Sequence, residues 1–213
     1  MKADFVERDF LRLVMDVMRG DNALAIRVSL ETGLRIGDVL ALRSDELGAD
    51  GSVRTICRKT GKPFEGRVSD RTAADLRANE RGGWLFPSPV KPGEHKTRQA
   101  VWRDIKTAAR KCGIKVNVTP HTARKVHGVE TFRAKGLGEV QRELQHDRVS
   151  TSLLYAFADV LTGERHQKPT QAADCHAAER LIGVIINNLG GAGAVYAAIR
   201  RAIEEEGEEW RET

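Results

Sequence analysis

The chain has 213 residues, of which 40% are hydrophobic and 31% are charged, and its formal net charge is +5. This length is enough to bury one core, and the recurring aliphatic residues argue against general disorder. Residues 203–213 carry six Glu and one Arg, so residues 1–202 hold 34 basic and 24 acidic residues, a net charge of +10, which favours a polyanionic partner.

The first 45 residues predict a helical unit. Apolar residues at three- and four-residue steps indicate an amphipathic helix over residues 5–18: Phe10, Leu13, Val14 and Val17. A second helix is predicted over residues 23–31, before Gly33, which is a natural C-terminal residue for a helix. A third helix follows through residues 36–42.

Residues 50–70 predict a basic hairpin. Residues 52–58 are a strand candidate, and residues 64–68 can return antiparallel to them. The turn between these strands contains Gly61, which supplies the backbone freedom that such a turn needs. Lys59 is therefore expected at or near the tip of the hairpin.

Helices resume after the hairpin, at residues 71–80 and 97–112, with a Gly- and Pro-rich loop between them. Thr119 and Pro120 predict a further helix start with Thr119 as its cap. Helices are then expected over residues 123–134 and about 137–145. The predicted fold class is mainly α with a small antiparallel β-sheet (α+β).

The cysteine pattern and the chain ends favour a cytoplasmic location. Cys57, Cys112 and Cys175 form no C-x-x-C pair, which disfavours a zinc module or a disulfide framework. The N-terminus carries acidic residues where a secretory signal would have its apolar core. Residues 181–199 lack charges but contain Asn and several Gly, so we expect helices broken by Gly rather than a membrane span.

Polar residues at two helix starts are candidates for phosphate chemistry. Arg35 stands at a helix junction, where a guanidinium can bind two oxygens of one phosphate, with Asp38 one turn on to orient it. His121 and Arg124 are three residues apart and project to one helix face. Taken singly, Arg35 also fits a snorkelling surface residue, and His121 with Arg124 also fits a solvated pair.

His146 and Tyr155 complete the candidate set. Nine steps of about 100° on one helix would place them on opposite faces, so a joint role needs a break between them. Residues 147–150 supply that break, and Ser150 or Thr151 can cap a new short helix. A tyrosine in such a helix is more often a core or interface residue than a nucleophile.

Taken together, these residues resemble the catalytic domain of the tyrosine recombinases, or phage integrases, over about residues 5–160. The matching pieces, in order, are Thr32-Gly33-Leu34-Arg35-Ile36-Gly37-Asp38, Lys59-Thr60-Gly61-Lys62, Thr119-Pro120-His121-Thr122-Ala123-Arg124, Leu144-Gln145-His146 and Tyr155. The resemblance implies a recombinase-like catalytic domain over residues 1–165, followed by a helical tail over residues 166–213 with an acidic end.

The resemblance also implies a role for each site residue. Arg35 and Arg124 would hold the scissile phosphate, and Lys59, rather than Lys62, would protonate the leaving 5′ oxygen. His121 would help to position the phosphate and manage the tyrosine proton, and His146 would donate to a phosphate oxygen. Tyr155 would be the nucleophile that forms a covalent 3′-phosphotyrosine. With these groups present, neither ATP, a metal nor another cofactor is expected.

The resemblance implies a site-specific DNA recombinase of the integrase or excisionase type, bacterial or phage-encoded and nucleoid-associated. Its partners would be double-stranded DNA and further copies of itself, as a tetramer assembled through the C-terminal segment, with no membrane contact. The alternative for this segment is packing on its own protomer. Three alternatives remain open: type IB topoisomerase-like activity, resolvase activity, or a catalytically silent DNA-binding module. Gln145, where the family usually has Gly, and Ala123, where it usually has Leu, depart from the pattern without removing a catalytic group.

Overall fold

The structure is a computed structural model that describes residues 6–145. Its elements, in chain order, are α1 (Arg8–Val17), α2 (Gly20–Thr32), α3 (Ile36–Leu40), a 3₁₀ turn (Ser44–Glu46), β1 (Ser52–Ile56), β2 (Pro63–Arg67), α4 (Asp70–Asn79), α5 (Arg98–Lys111), α6 (Pro120–Lys135) and α7 (Leu137–Glu143). The predicted class is confirmed: the fold is mainly α with a small antiparallel sheet. Lys2–Glu130 form one compact unit, and Thr131–Thr213 belong to a second.

Helix α2 is the centre of the first unit. It contacts α1, α3, α4, α5 and β2, and its side chains are buried around most of its circumference, as in a helix enclosed by others. Each buried aliphatic side chain stabilises the fold by about 1.5–3 kcal/mol relative to exposure. Leu24, Ile26, Val28 and Leu30 are its buried aliphatic residues.

Helix α1 buries a different face from the one that its apolar stripe predicts. Val14 is buried as expected, but Phe10, Leu13 and Val17 are 50%, 48% and 41% exposed. Leu11 occupies the buried side instead. The helix carries two overlapping apolar stripes, and packing against α2 and α5 selects one of them.

The predicted hairpin is confirmed. Strands β1 and β2 pair antiparallel, with Ser52 opposite Arg67 and Ile56 opposite Pro63. The tip is closed by two backbone hydrogen bonds, from the Cys57 N–H to the Lys62 carbonyl (2.9 Å) and from the Gly61 N–H to the Cys57 carbonyl (2.8 Å). Gly61 has φ = 66°, a left-handed conformation that glycine adopts without steric cost.

Side-chain caps set two of the later helix starts. The Ser69 hydroxyl accepts from the Thr72 N–H at the start of α4, and the Thr97 hydroxyl accepts from the Ala100 N–H at the start of α5. The predicted Thr119 cap of α6 is wrong in its chemistry: the buried Thr119 hydroxyl has no hydrogen-bond partner within the described residues, and the Thr119 N–H donates instead to the Thr122 hydroxyl.

The described part of the second unit joins the end of α6 to α7. Gly136, at φ = 82°, turns the chain between the two helices. Glu143 then accepts hydrogen bonds from the Thr131 hydroxyl (3.0 Å) and the Lys135 ammonium (2.8 Å). Among residues 6–145, none of the helices has the length and hydropathy needed to cross a bilayer; residues 181–199 lie outside this range.

Candidate active site

The turn that carries Arg35 is held by its own short-range hydrogen bonds. Gly33 ends α2 at φ = 72°, and its N–H donates to the Ser29 carbonyl (2.9 Å). The Ser29 hydroxyl donates to the Leu34 carbonyl (2.7 Å), and the Thr32 hydroxyl accepts from the Leu34 N–H (3.2 Å). These bonds fix the backbone immediately before Arg35, which is the N-cap residue of α3.

Arg124 reaches the same turn from α6. The residue is only 4% exposed, and its guanidinium donates from Nη1 to the Gly33 carbonyl, two residues before Arg35. One turn further along α6, His127 Nδ1 lies 3.0 Å from the Leu30 carbonyl of α2. A buried cation requires such partners, and cations are favourable at the C-terminal end of a helix such as α2.

Asp38 connects α3 to the hairpin rather than to Arg35. Its Oδ1 accepts a hydrogen bond from the Arg58 backbone N–H (2.9 Å), next to Lys59. Within residues 6–145, no hydrogen bond or ion pair joins Asp38 to the Arg35 guanidinium, and the orientation of Arg35 by Asp38 stays a prediction. Asp38 is 5% exposed, and its Oδ2 has no partner in the described range.

Two other elements, α6 and the hairpin, therefore donate hydrogen bonds to the segment from Gly33 to Asp38. Arg124 binds its first residue and Arg58 its last, with Arg35 between them. Lys59 also lies near these two arginines. Partial burial and then the positive charges of Arg35 and Arg124 lower the pKa of its ammonium. Three cations from separate parts of the sequence thus lie in one region of the fold.

Cys57 is a further member of this cluster, and none of the sequence motifs assigns it there. It is 3% exposed at the end of β1, and burial, together with the nearby Asp38 carboxylate, raises the pKa of its thiol, against the opposing effect of Arg35 and Arg124. Its burial beside the turn of the hairpin is not readable from sequence, since an isolated cysteine carries no periodic signal.

The remaining predicted site residues are His121, His146 and Tyr155. His121 lies half-buried near the start of α6, one turn before Arg124, so the two share a helix face. His146 and Tyr155 lie outside the described residues. The three cations that converge suit a group with two or more negative oxygens, such as a phosphate diester.

The described residues form no cluster that could hold a metal ion beside these cations, and the cavity found among them lies at a different place. Within residues 6–145, His, Cys, Asp and Glu nowhere gather in a group of three that could hold a metal ion. A cavity of about 580 Å³ opens between α1, α2 and α4, lined in part by Arg8, Arg27 and Asp75, and it contains none of the predicted site residues.

Comparisons with known sequences give one consistent family. The family model described as "Phage integrase family" matches residues 5–160. The tyrosine recombinase XerD of Ralstonia nicotianae is 32% identical over 145 residues, covering 61% of this chain and 46% of that protein. The integrase of Escherichia phage P2 is 24% identical over 152 residues, covering 71% of this chain and 42% of that protein. The chain thus spans about half the length of the curated relatives it matches.

Solved structures match the fold. XerA recombinase superposes with a TM-score of 0.61 at 20% identity, covering 78% of this chain and 67% of that chain. A lambda integrase tetramer bound to a Holliday junction superposes with a TM-score of 0.62 at 16% identity, covering 73% of this chain and 48% of that chain.

Proposed function

Because the chain belongs to the phage integrase family, we propose that it is a site-specific DNA recombinase that cuts and rejoins strands through a covalent 3′-phosphotyrosine. The observation that carries this proposal is the convergence on Gly33–Asp38: Arg124 donates to Gly33, Arg58 beside Lys59 donates to Asp38, and Arg35 lies between. A surface with this geometry holds a phosphate among three cationic side chains, which is the requirement for strand transfer without a metal.

The proposed step removes one proton from the attacking phenol oxygen, delivers one proton to the leaving 5′ oxygen, and exchanges one phosphate ester bond for another. The Tyr155 phenol oxygen attacks the phosphorus, its proton passes to His121, and the new bond joins the enzyme to the 3′ phosphate. The bond to the 5′ oxygen breaks, and that oxygen takes a proton from the Lys59 ammonium. Arg35 and Arg124 neutralise charge on the non-bridging oxygens, and His146 donates to one of them. Religation reverses each transfer, so no energy source is consumed.

The lowered pKa of Lys59 suits a general acid. A lysine at its ordinary pKa of 10.5 releases its proton reluctantly at neutral pH, whereas partial burial of Lys59 and then the charges of Arg35 and Arg124 favour release. The ammonium recovers a proton when the religating 5′ hydroxyl gives one back. The same cations that bind phosphate therefore adjust the acid that acts on it.

We propose double-stranded DNA as the substrate and further copies of the chain as partners. The net charge of +10 over residues 1–202 supports attraction to the DNA backbone. Recombination cuts and rejoins both strands of each duplex, so a tetramer with one tyrosine per cut strand is the fitting assembly. Residues 1–165 would form the catalytic domain and residues 166–213 the tail that joins protomers. The site of action would be the DNA of a bacterial cytoplasm.

Covalent trapping tests the proposal with DNA of any sequence. The full chain is incubated with a library of nicked duplexes of randomised sequence, in which cleavage near the nick releases a short fragment and prevents religation. Adducts that survive denaturation are recovered and sequenced, and the DNA-linked peptide is mapped by mass spectrometry. The expected result is an adduct on Tyr155, with none formed by Tyr155→Phe.

The other outcomes separate the remaining functions. Equal DNA retention by wild type and Tyr155→Phe, with no adduct in either, would contradict the enzyme and support a binding module. An adduct that relaxes supercoiled plasmid but never exchanges strands between two recovered sites would support a topoisomerase-like activity. Linkage to a residue other than Tyr155 would overturn the nucleophile assignment alone.

A further inference from the structure

The loop between α4 and α5 contacts the hairpin at the residue before Lys59. His95 Nε2 lies 3.3 Å from Arg58 Nη1, although the two residues are far apart in sequence. His95 is itself fixed on two other sides. Its Nδ1 is 2.9 Å from the Lys96 carbonyl, and its ring packs edge-on against Trp84, with ring centroids 5.2 Å apart and planes at 70°.

Trp84, against which the His95 ring packs, is also fixed by its own contacts. The Trp84 indole N–H donates to the Gly93 carbonyl (2.9 Å), and the Arg43 guanidinium lies 4.6 Å from the centroid of the Trp84 ring. His95 is therefore a fixed acceptor rather than a mobile surface side chain.

The hydrogen bonds determine the tautomer of His95. A carbonyl oxygen only accepts, so Nδ1 carries the proton that it shares with Lys96. In the neutral ring Nε2 then has a lone pair, which accepts from the Arg58 guanidinium. A neutral acceptor holds Arg58 without adding a negative charge beside the three cations of the site, whereas a carboxylate in the same place would weaken their hold on a phosphate.

Arg58 is thus held at both ends. Asp38 of α3 binds its backbone N–H, and His95 binds its guanidinium. Two backbone bonds within residues 57–62 also close the hairpin tip. A residue fixed in backbone and side chain restricts the next residue along the chain, which is Lys59.

We propose that His95 is a positioning residue for Lys59, which it holds over the phosphate site by accepting a hydrogen bond from Arg58. The inference rests on the proposed function, in which Lys59 is the acid for the leaving 5′ oxygen.

Two substitutions of His95 separate its two hydrogen bonds. His95→Asn retains an amide nitrogen close to the Nδ1 position and loses the reach to Arg58. His95→Gln reaches the Nε2 position, where its amide oxygen can accept from Arg58, and loses the bond to Lys96. Neither change alters the charge. Arg54→Met, which removes an exposed arginine paired with Glu65 on the same hairpin, is the control for general disturbance of β1 and β2.

The first readout is the titration of the Lys59 side chain by NMR, with its signal identified by its loss in Lys59→Arg. We expect His95→Asn to move the Lys59 midpoint upward, toward that of a fully exposed lysine, because the ammonium becomes less buried and moves away from the charges of Arg35 and Arg124. His95→Gln and Arg54→Met should keep the wild-type midpoint. Identical midpoints in wild type and His95→Asn, or equal shifts in His95→Asn and His95→Gln, overturn the proposal.

The second readout uses a duplex recovered by covalent trapping, with sulfur in place of the bridging 5′ oxygen. A thiolate leaves without a proton, since the pKa of a thiol is near 8.5. We expect His95→Asn to slow adduct formation on the oxygen duplex by roughly ten- to a hundredfold, with DNA affinity changed less than about twofold, and the deficit to vanish on the sulfur duplex. An equal deficit on both duplexes overturns the positioning role.

Failure of the two proposals is distinguishable. If wild type forms no adduct with any duplex, the proposed function is wrong, and the Lys59 titration still decides whether His95 holds the hairpin. If wild type forms the adduct and His95→Asn matches it on the oxygen duplex, only the role of His95 is wrong. Should His95→Asn fail to fold, Arg58→Gln removes the same contact from the other side and is judged by the sulfur duplex.

Discussion

At the scale of single residues, the two arginines of the site have different structural positions. Arg35 is half-buried, and its guanidinium has no hydrogen-bond or ion-pair partner among residues 6–145. Arg124 is almost fully buried and binds the Gly33 carbonyl. Both would contact the phosphate in the proposed reaction, but only Arg124 also supports the fold.

Alanine substitutions should separate these positions. We expect Arg35→Ala and Arg124→Ala each to abolish covalent adduct formation while DNA binding falls modestly, because the scissile phosphate is one of many backbone contacts. Arg124→Ala should also lower the free energy of unfolding by about 1–3 kcal/mol, since the buried Gly33 carbonyl loses a donor. Urea denaturation, with Arg35→Ala as the matched control, measures this difference. Equal stability of the two variants would contradict the anchoring role of Arg124.

The lowered pKa of Lys59 predicts the alkaline behaviour of the enzyme. Only the protonated ammonium can act as the acid, so cleavage should fall as pH rises through the Lys59 pKa, at a pH below the ordinary 10.5. Arg35→Gln removes one of the positive charges that lower this pKa, and the NMR midpoint of Lys59 should therefore rise. An unchanged midpoint in Arg35→Gln would show that the two side chains are not neighbours.

At the scale of secondary-structure elements, the end of α7 contains a strained residue. Gln145 has φ = 51°, and it is the one non-glycine residue with positive φ among residues 6–145. It stands where the family resemblance implies glycine, immediately before His146. This position thus has a backbone conformation that favours glycine, although its residue is glutamine.

Gln145→Gly should relieve this strain. A side chain in the left-handed region costs about 1–2 kcal/mol, and glycine offsets part of the gain by its greater freedom in the unfolded chain, about 0.5–1 kcal/mol. We expect a net rise of about 0.5 kcal/mol in the free energy of unfolding. Thermal denaturation of the full chain measures it, and Gln145→Ala, which keeps the strain, is the control. A stability of Gln145→Gly below that of wild type would contradict the prediction.

Helix α5 presents a basic outer face that suits DNA phosphates. Arg103 and Arg110 are both exposed, and their spacing of two turns places them on one side of the helix; Trp102, on the adjoining face, is also exposed. The double substitution to Ala should weaken DNA binding and reduce the slope of log affinity against log salt by about 1 for each lost phosphate contact. Fluorescence anisotropy at several salt concentrations measures the slope. Arg71→Ala on α4 is the control, and an equal effect there would contradict a specific role for α5.

The elements show what can be read from sequence and what cannot. The hairpin is predictable because Gly61 and the alternating strands are local signals, and Gly33 marks the end of α2 for the same reason. The buried face of α1 is not predictable from sequence, because its two apolar stripes overlap and packing against the neighbouring helices determines which one is buried. The partner of Asp38 and the contact of His95 with Arg58 join segments with no shared pattern, so only the folded chain reveals them.

At the scale of the whole molecule, charge is distributed unevenly along the chain. The acidic end over residues 203–213 halves the net charge of the remainder, from +10 to +5. Because DNA binding is dominated by phosphate neutralisation, a tethered polyanion competes with DNA for the same cationic surface.

Removal of these charges should strengthen DNA binding at low salt. We expect replacement of the six terminal Glu by Gln to raise the affinity for duplex DNA several-fold at about 50 mM salt, with the difference shrinking as salt screens the charges. The substitution keeps the chain length and the side-chain size, so any change in affinity comes from the lost charges. Affinity that is equal to wild type at all salt concentrations would contradict competition by the tail.

The bond between Arg124 and the Gly33 carbonyl has a consequence for the evolution and redesign of this site. The Gly33 carbonyl positions the Arg124 guanidinium, and Arg35 follows two residues later on the same turn, so a change of this turn should displace both side chains. We therefore expect differences in DNA target choice to be encoded away from the turn at Gly33, on surfaces such as α5. A designer who wishes to retarget the protein should leave residues 29–38 untouched and diversify the helices that surround them.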